Sequence, residues 1–309
     1  MGCPQIALRA GLAALLALLA FGVTPALAQE PGPEVCKACH ADKVASFFAS
    51  KHGVRTDSRT PISNGGCVVC HANAAEHVKA GGGKGAGGIV NPGRSNHAIS
   101  AEAKNAICLA CHQGGQRIHW DRSAHANNEV ACTNCHMIHT AHDDVRDKLT
   151  QSDVCFSCHR DKRAGFNLPY RHPIKEGKVA CSDCHNAHGS AGEHMLVRDS
   201  VNDTCYQCHM EMRGPFIRNH EPVQEDCTLC HNPHGTTNPN LLKVRVPFLC
   251  QSCHQPTSHH GTIPGAAPVN GGNPAIAQAV IMARGCLNCH TEIHGSNNPT
   301  DNSGRAFRH

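Results

Sequence analysis

The sequence predicts a chain of loops and short α-helices with negligible sheet, wrapped around something other than an apolar side-chain core. Three observations carry this expectation. One Trp, two Tyr and eight Phe among 309 residues are too few aromatics for an ordinary interior. The 21 cysteines and 26 histidines are far above the usual share. Finally, twenty of those cysteines fall into ten copies of one five-residue motif.

In chain order, the first element is an export signal. Arg9 precedes an apolar run from Gly11 to Val23, and Thr24-Pro25-Ala26-Leu27-Ala28 ends it with small residues at −3 and −1. That pattern predicts cleavage of residues 1–28 and a periplasmic protein. The run is shorter than the roughly 20 residues needed to cross a bilayer. No later stretch approaches that length, so no integral membrane helix is expected. Cys3 lies ahead of the run and leaves with the signal.

The motif is C-x-x-C-H. It occurs at Cys36-Cys39-His40, Cys67-Cys70-His71, Cys108-Cys111-His112, Cys132-Cys135-His136 and Cys155-Cys158-His159. It recurs at Cys181-Cys184-His185, Cys205-Cys208-His209, Cys227-Cys230-His231, Cys250-Cys253-His254 and Cys286-Cys289-His290. Two thiols three residues apart sit on one backbone turn and can reach the two vinyl groups of a haem. The adjacent histidine then meets the iron, which is c-type attachment. Zinc sites also combine C-x-x-C pairs, but they do not demand histidine after each one. An exported cysteine-rich chain invites a disulfide framework, which this spacing rejects. Ten covalent haems c would supply the missing interior. The fold class is therefore a multihaem cytochrome c, with residues 29–309 wrapped around an elongated stack of ten haems.

Sixteen histidines remain, and ten of them recur once per motif. Taking the motifs in consecutive pairs, one histidine lies between the members of each pair: His52, His125, His172, His220, and either His259 or His260. Another follows each second member: His77, His139, His188, His234 and His294. These ten are the candidate distal iron ligands, the alternative for each being an ordinary surface histidine. His188 stands three residues after His185, so it cannot reach the opposite face of the same haem and must cross to another. The same holds for His139 and His234. His97, His119, His142, His194 and His309 are spares, with His97 the substitute for His77. Bis-histidine ligation leaves no iron open to substrate, and it avoids the higher potential that an axial Met brings. Met210 and Met212 are read as packing residues rather than ligands.

Successive motifs start 31, 41, 24, 23, 26, 24, 22, 23 and 36 residues apart. The centre reads as a two-haem unit repeated five times and degenerate at its ends. The second interval holds the glycine-rich stretch Ala80 to Gly88, which lacks the order of a phosphate-binding loop and is expected to be a flexible loop. Gly261 to Pro274 is expected to be another. The formal charge of +4 omits the haem propionates, which make the holoprotein acidic. Nothing in the charge pattern points to nucleic acid.

The repeated C-x-x-C-H-N-x-H-G segments, Cys181 to Gly189 and Cys227 to Gly235, resemble the MtrA/DmsE family of periplasmic decahaem cytochromes, and so do the motif count and the length. The resemblance covers residues 34–295. It implies an all-bis-histidine haem chain in two pentahaem halves, 34–175 and 176–295. It further implies insertion into an outer-membrane β-barrel porin and exchange of electrons with periplasmic and extracellular redox partners. Two other functions compete: a soluble periplasmic donor to a terminal reductase, such as a sulfoxide reductase, and a multihaem enzyme such as a nitrite reductase. The enzyme requires an open iron or an altered motif, and the sequence shows neither.

Overall fold

The computed structural model describes residues 30–254, 286–288, 290–299 and 307. The signal segment, Cys3, His259, His260, Cys289, His309 and the stretch 261–274 lie outside the described residues. The chain divides into two compact units, Met1–Asn91 and Pro92–His309, so the division follows the second haem motif.

In the first unit, helix α1 (Pro33–Ala49) starts at a proline, whose missing N–H costs nothing there, and it leaves helical geometry at His40. Val44 and Phe47 are its buried side chains. The helix ends where Ser50 Oγ donates to the Phe47 carbonyl at 2.6 Å. The chain then turns so closely that a Cβ on Gly53 would collide with that same carbonyl. Helix α2 (Ala74–Lys79) carries His77.

In the second unit, nine short helices are described: α3 (Ala101–Leu109), α4 (Ala124–Asn127), α5 (Cys132–Cys135), α6 (Gln151–Phe156), α7 (Arg160–Gly165), α8 (Cys181–Cys184), α9 (Val201–Cys205), α10 (Glu221–Glu225) and α11 (Phe248–Gln251). Ser100, Ser123 and Ser200 cap α3, α4 and α9 by accepting the N–H three residues on, at 3.1–3.2 Å, which satisfies a donor the helix leaves over. Among the described residues no strand forms. There are four isolated antiparallel bridges, Tyr170–Thr236, His185–Leu196, Arg218–Ser296 and His231–Leu242.

The apolar interior is as thin as the composition predicts. Phe156, Phe166 and Ile174 form one small cluster with Val179 against it, and no large side chain among the described residues is fully buried.

Candidate haem sites

Each motif closes a turn. In the nine motifs from Cys67 onward, the histidine N–H donates to the carbonyl of the first cysteine at 2.8–3.1 Å; the first motif lies within α1. This turn holds two thiols and one imidazole together, the donor set that covalent haem attachment requires. None of the described cysteines is joined in a disulfide.

The turns are arranged in pairs. The first cysteines of paired motifs touch: Cys36 with Cys67, Cys108 with Cys132, Cys155 with Cys181, Cys205 with Cys227, and Cys250 with Cys286. Between pairs, the second cysteine of one lies near both cysteines of the next motif: Cys135 near Cys155 and Cys158, Cys184 near Cys205 and Cys208, and Cys230 near Cys250 and Cys253. Within the second unit the attachment turns therefore follow one another in sequence order.

Buried amides tie the pairs together. Asn105 donates to the Val130 carbonyl at 3.0 Å and accepts the Cys132 N–H at 2.7 Å. Asn202 donates to the Val223 and Gln224 carbonyls and accepts the Cys227 N–H at 2.8 Å. Gln151 does the same with Ser182, accepting its N–H at 2.9 Å. These residues escaped the sequence reading, because a lone Asn or Gln near a motif has no distinguishing pattern.

Among the described residues, seven pairs of histidine rings lie close together. In the first unit His40 meets His77 with ring centroids 6.3 Å apart. In the second, His136 meets His188 at 6.0 Å, His185 meets His234 at 6.1 Å and His231 meets His294 at 6.1 Å, with planes only 7°, 12° and 14° apart. His159 meets His125 at 6.0 Å, His209 meets His172 at 6.4 Å and His254 meets His220 at 6.1 Å, their planes crossing at 65°, 51° and 23°. Imidazole nitrogens bind first-row metals at roughly 2 Å, so two rings on opposite sides of one iron have centroids roughly 6 Å apart. The residues fit the group.

Every one of these pairs joins a motif histidine to a histidine placed at a distal position. His52, His71, His112, His139 and His290 also have partners. Among the spares, His97 and His119 are exposed, and His142 lies 3.3 Å from Asp147 and 4.0 Å from Asp144.

The ring nitrogens are oriented as iron ligation needs. Nδ1 lies against a backbone carbonyl in His71 (Val90, 3.0 Å), His77 (Ala86, 2.9 Å), His125 (Ala187, 2.8 Å), His172 (Pro233, 2.9 Å), His185 (His194, 3.0 Å) and His231 (Asn240, 2.8 Å). A neutral ring donating from Nδ1 presents the Nε2 lone pair to a metal. Burial holds the neutral form: it pulls His185, His188 and His294 below the ordinary imidazole range and His234 down to about 4.

The His-Gly turn has its own cause. Asn186 Oδ1 accepts the His188 N–H, and Asn232 Oδ1 the His234 N–H, both at 3.1 Å. Gly189 and Gly235 follow at φ +99° and +128°, a region that favours glycine. A Cβ on Gly235 would collide with the Gly165 carbonyl. The glycine-rich stretch after His77, expected to be a flexible loop, instead folds back onto α2. Gly87 sits at φ +66°, where a Cβ would strike the backbone of Glu76 and His77, and Ala86 beside it supplies the carbonyl for His77.

These turns and ring pairs define a multihaem c-type cytochrome, a carrier of electrons. Residues 172–214 and 220–259 match the doubled CXXCH motif family, and residues 67–151 match the family of cytochrome c-type, NrfB-like proteins. The chain is 40% identical over 276 residues to the multiheme cytochrome MtrA of Shewanella baltica (strain OS185), covering 87% of this chain and 80% of that protein. The chain belongs to the MtrA family of multihaem cytochromes.

Proposed function

We propose that the chain holds ten haems c, each with two histidine ligands, and carries electrons along them in sequence order through an outer-membrane β-barrel porin. The cysteine approaches carry this reading, because they string the attachment turns of the second unit, from the third motif to the tenth, into one series. A haem supplies one-electron iron chemistry. The protein's residues hold the iron low-spin and closed, so that nothing but an electron needs to enter.

The ring pairs support a simple ligation rule. For the fourth, sixth and eighth motifs, the distal ligand comes from just after the motif two places later: His188, His234 and His294. For the fifth, seventh and ninth it comes from the interval two places earlier: His125, His172 and His220. His77 serves the first motif. His52, His139 and one of His259 or His260 complete the set of ten. The two-haem repeat is the unit of organisation across residues 29–309.

The signal segment supports delivery to the periplasm. Among the described residues no helix is long and apolar enough to cross a membrane; in the proposed conduit a barrel around the chain supplies the passage. Co-purification from outer membranes in detergent tests this, with a stable complex with a β-barrel as the expected result. Recovery solely as a free periplasmic protein would refute the conduit and favour the soluble-donor reading. Ten haems per chain and wholly low-spin spectra are expected of the purified protein.

A further inference from the structure

We propose that Asp143 lowers the reduction potential of the haem attached at Cys132 and Cys135, setting it apart from its neighbours in the series. This rests on the reading that His136 and His188 ligate that iron. The Nδ1 of His136 lies 2.8 Å from Asp143 Oδ2. Among the rings of the seven pairs, the others with a hydrogen-bonded Nδ1 rest on carbonyl dipoles: His77, His125, His172, His185 and His231. Among the fourteen histidines of the seven ring pairs, His136 is the one within hydrogen-bond distance of a carboxylate. The nearest comparison is His209, whose Nδ1 stands 3.6 Å from Glu211 with both side chains more than half exposed.

The carboxylate is held in place. Asp143 Oδ1 accepts the Met137 N–H at 3.1 Å, which closes a small loop on the motif itself. The side chains of Asp143 and His136 are 18% and 31% exposed, so water screens the pair less than it would a surface pair. Neighbouring Asp144 and Asp147 face His142 instead. Arg94 donates to the Thr133 and Asn134 carbonyls, and among the described residues no Lys or Arg lies within ion-pair distance of Asp143.

A carboxylate on Nδ1–H draws the proton toward itself and makes the ring a stronger donor to the metal. Both that donation and the nearby negative charge favour the ferric iron, which carries one more positive charge than the ferrous form. A carbonyl in the same place provides a dipole and no net charge. One step in the series is thereby made harder to reduce than its sequence motif alone would set it.

The test is Asp143→Asn in the full-length holoprotein, with Asp143→Glu as the conservative variant. Spectropotentiometric titration should show one haem's share of the absorbance change moving to higher potential in D143N and returning toward wild type in D143E. Low-temperature electron paramagnetic resonance should show one rhombic low-spin signal with a wider spread of g values in D143N. An unmoved titration in a fully loaded, low-spin D143N protein would overturn the proposal. So would loss of this haem from both variants, which would make Asp143 a structural residue. High-spin iron in the wild type would instead mark failure of the ligation reading.

Discussion

The Nδ1 of His172 rests 2.9 Å from the carbonyl of Pro233, the residue immediately before His234. His125 stands in the same relation to Ala187, immediately before His188, at 2.8 Å. The turn that presents one distal histidine thus orients a second, which faces a different motif. Neighbouring sites are thus also coupled through the backbone of these turns.

That coupling predicts a doubled effect for Asn232→Ala. Losing Oδ1 frees the His234 N–H and loosens the turn that carries the Pro233 carbonyl, at a cost of about 1 kcal/mol. Magnetic circular dichroism should show two perturbed haems, those paired with His234 and His172. Perturbation confined to one haem would show that the carbonyl does not orient His172.

Asn202→Ala should destabilise the protein by roughly 1–3 kcal/mol, because the buried Cys227 N–H loses its acceptor. Guanidinium denaturation followed in the visible band measures this. Lys79→Ala is the control: its pairing with Glu76 is exposed on both sides, and a change within about 0.5 kcal/mol is expected.

Gly235→Ala and Gly81→Ala separate strain from collision. Both glycines have positive φ, which costs about 1 kcal/mol or more for alanine. A Cβ at Gly81 meets nothing within 4 Å, whereas one at Gly235 strikes the Gly165 carbonyl. Thermal melts should therefore rank Gly235→Ala well below Gly81→Ala; equal losses would mean that the close approach contributes nothing.

Haem-free chain should not fold. The small cluster around Phe166 cannot offset the conformational entropy of ordering so long a chain. Protein expressed without haem attachment should show a coil-like far-ultraviolet spectrum and no cooperative heat transition. A sharp calorimetric peak would contradict this.

How much was legible depended on where the chemistry sits. Covalent attachment needs two thiols and an imidazole at fixed spacing, so every motif could be read directly, and with it the scarcity of sheet. For His139, His188 and His234 the sequence also showed that none can reach the opposite face of a haem at the motif beside it. Which motif histidine faces His188 or His234 was not readable, because partners such as His136 and His188 are brought together only by the fold. The carbonyls of Ala187 and Pro233 left no trace either, since every residue has one. Asn105, Gln151 and Asn202 look like any polar residue until burial gives their amides a role. The stretch Ala80 to Gly88 suggested slack because glycines usually do, yet here they permit the close return over His77.

Under the proposed ligation, the facing of His136 and His188 bears on biosynthesis. A chain is made from its N-terminus, so the turn at Cys132 is complete long before residue 188 exists. Its iron must wait, one side unfilled, until two further motifs have been delivered. A chain cut short at residue 180 would keep that attachment turn intact and still lack its second ligand. Reactivity toward carbon monoxide or cyanide would then report unfinished molecules, and it would vanish station by station as the chain is completed.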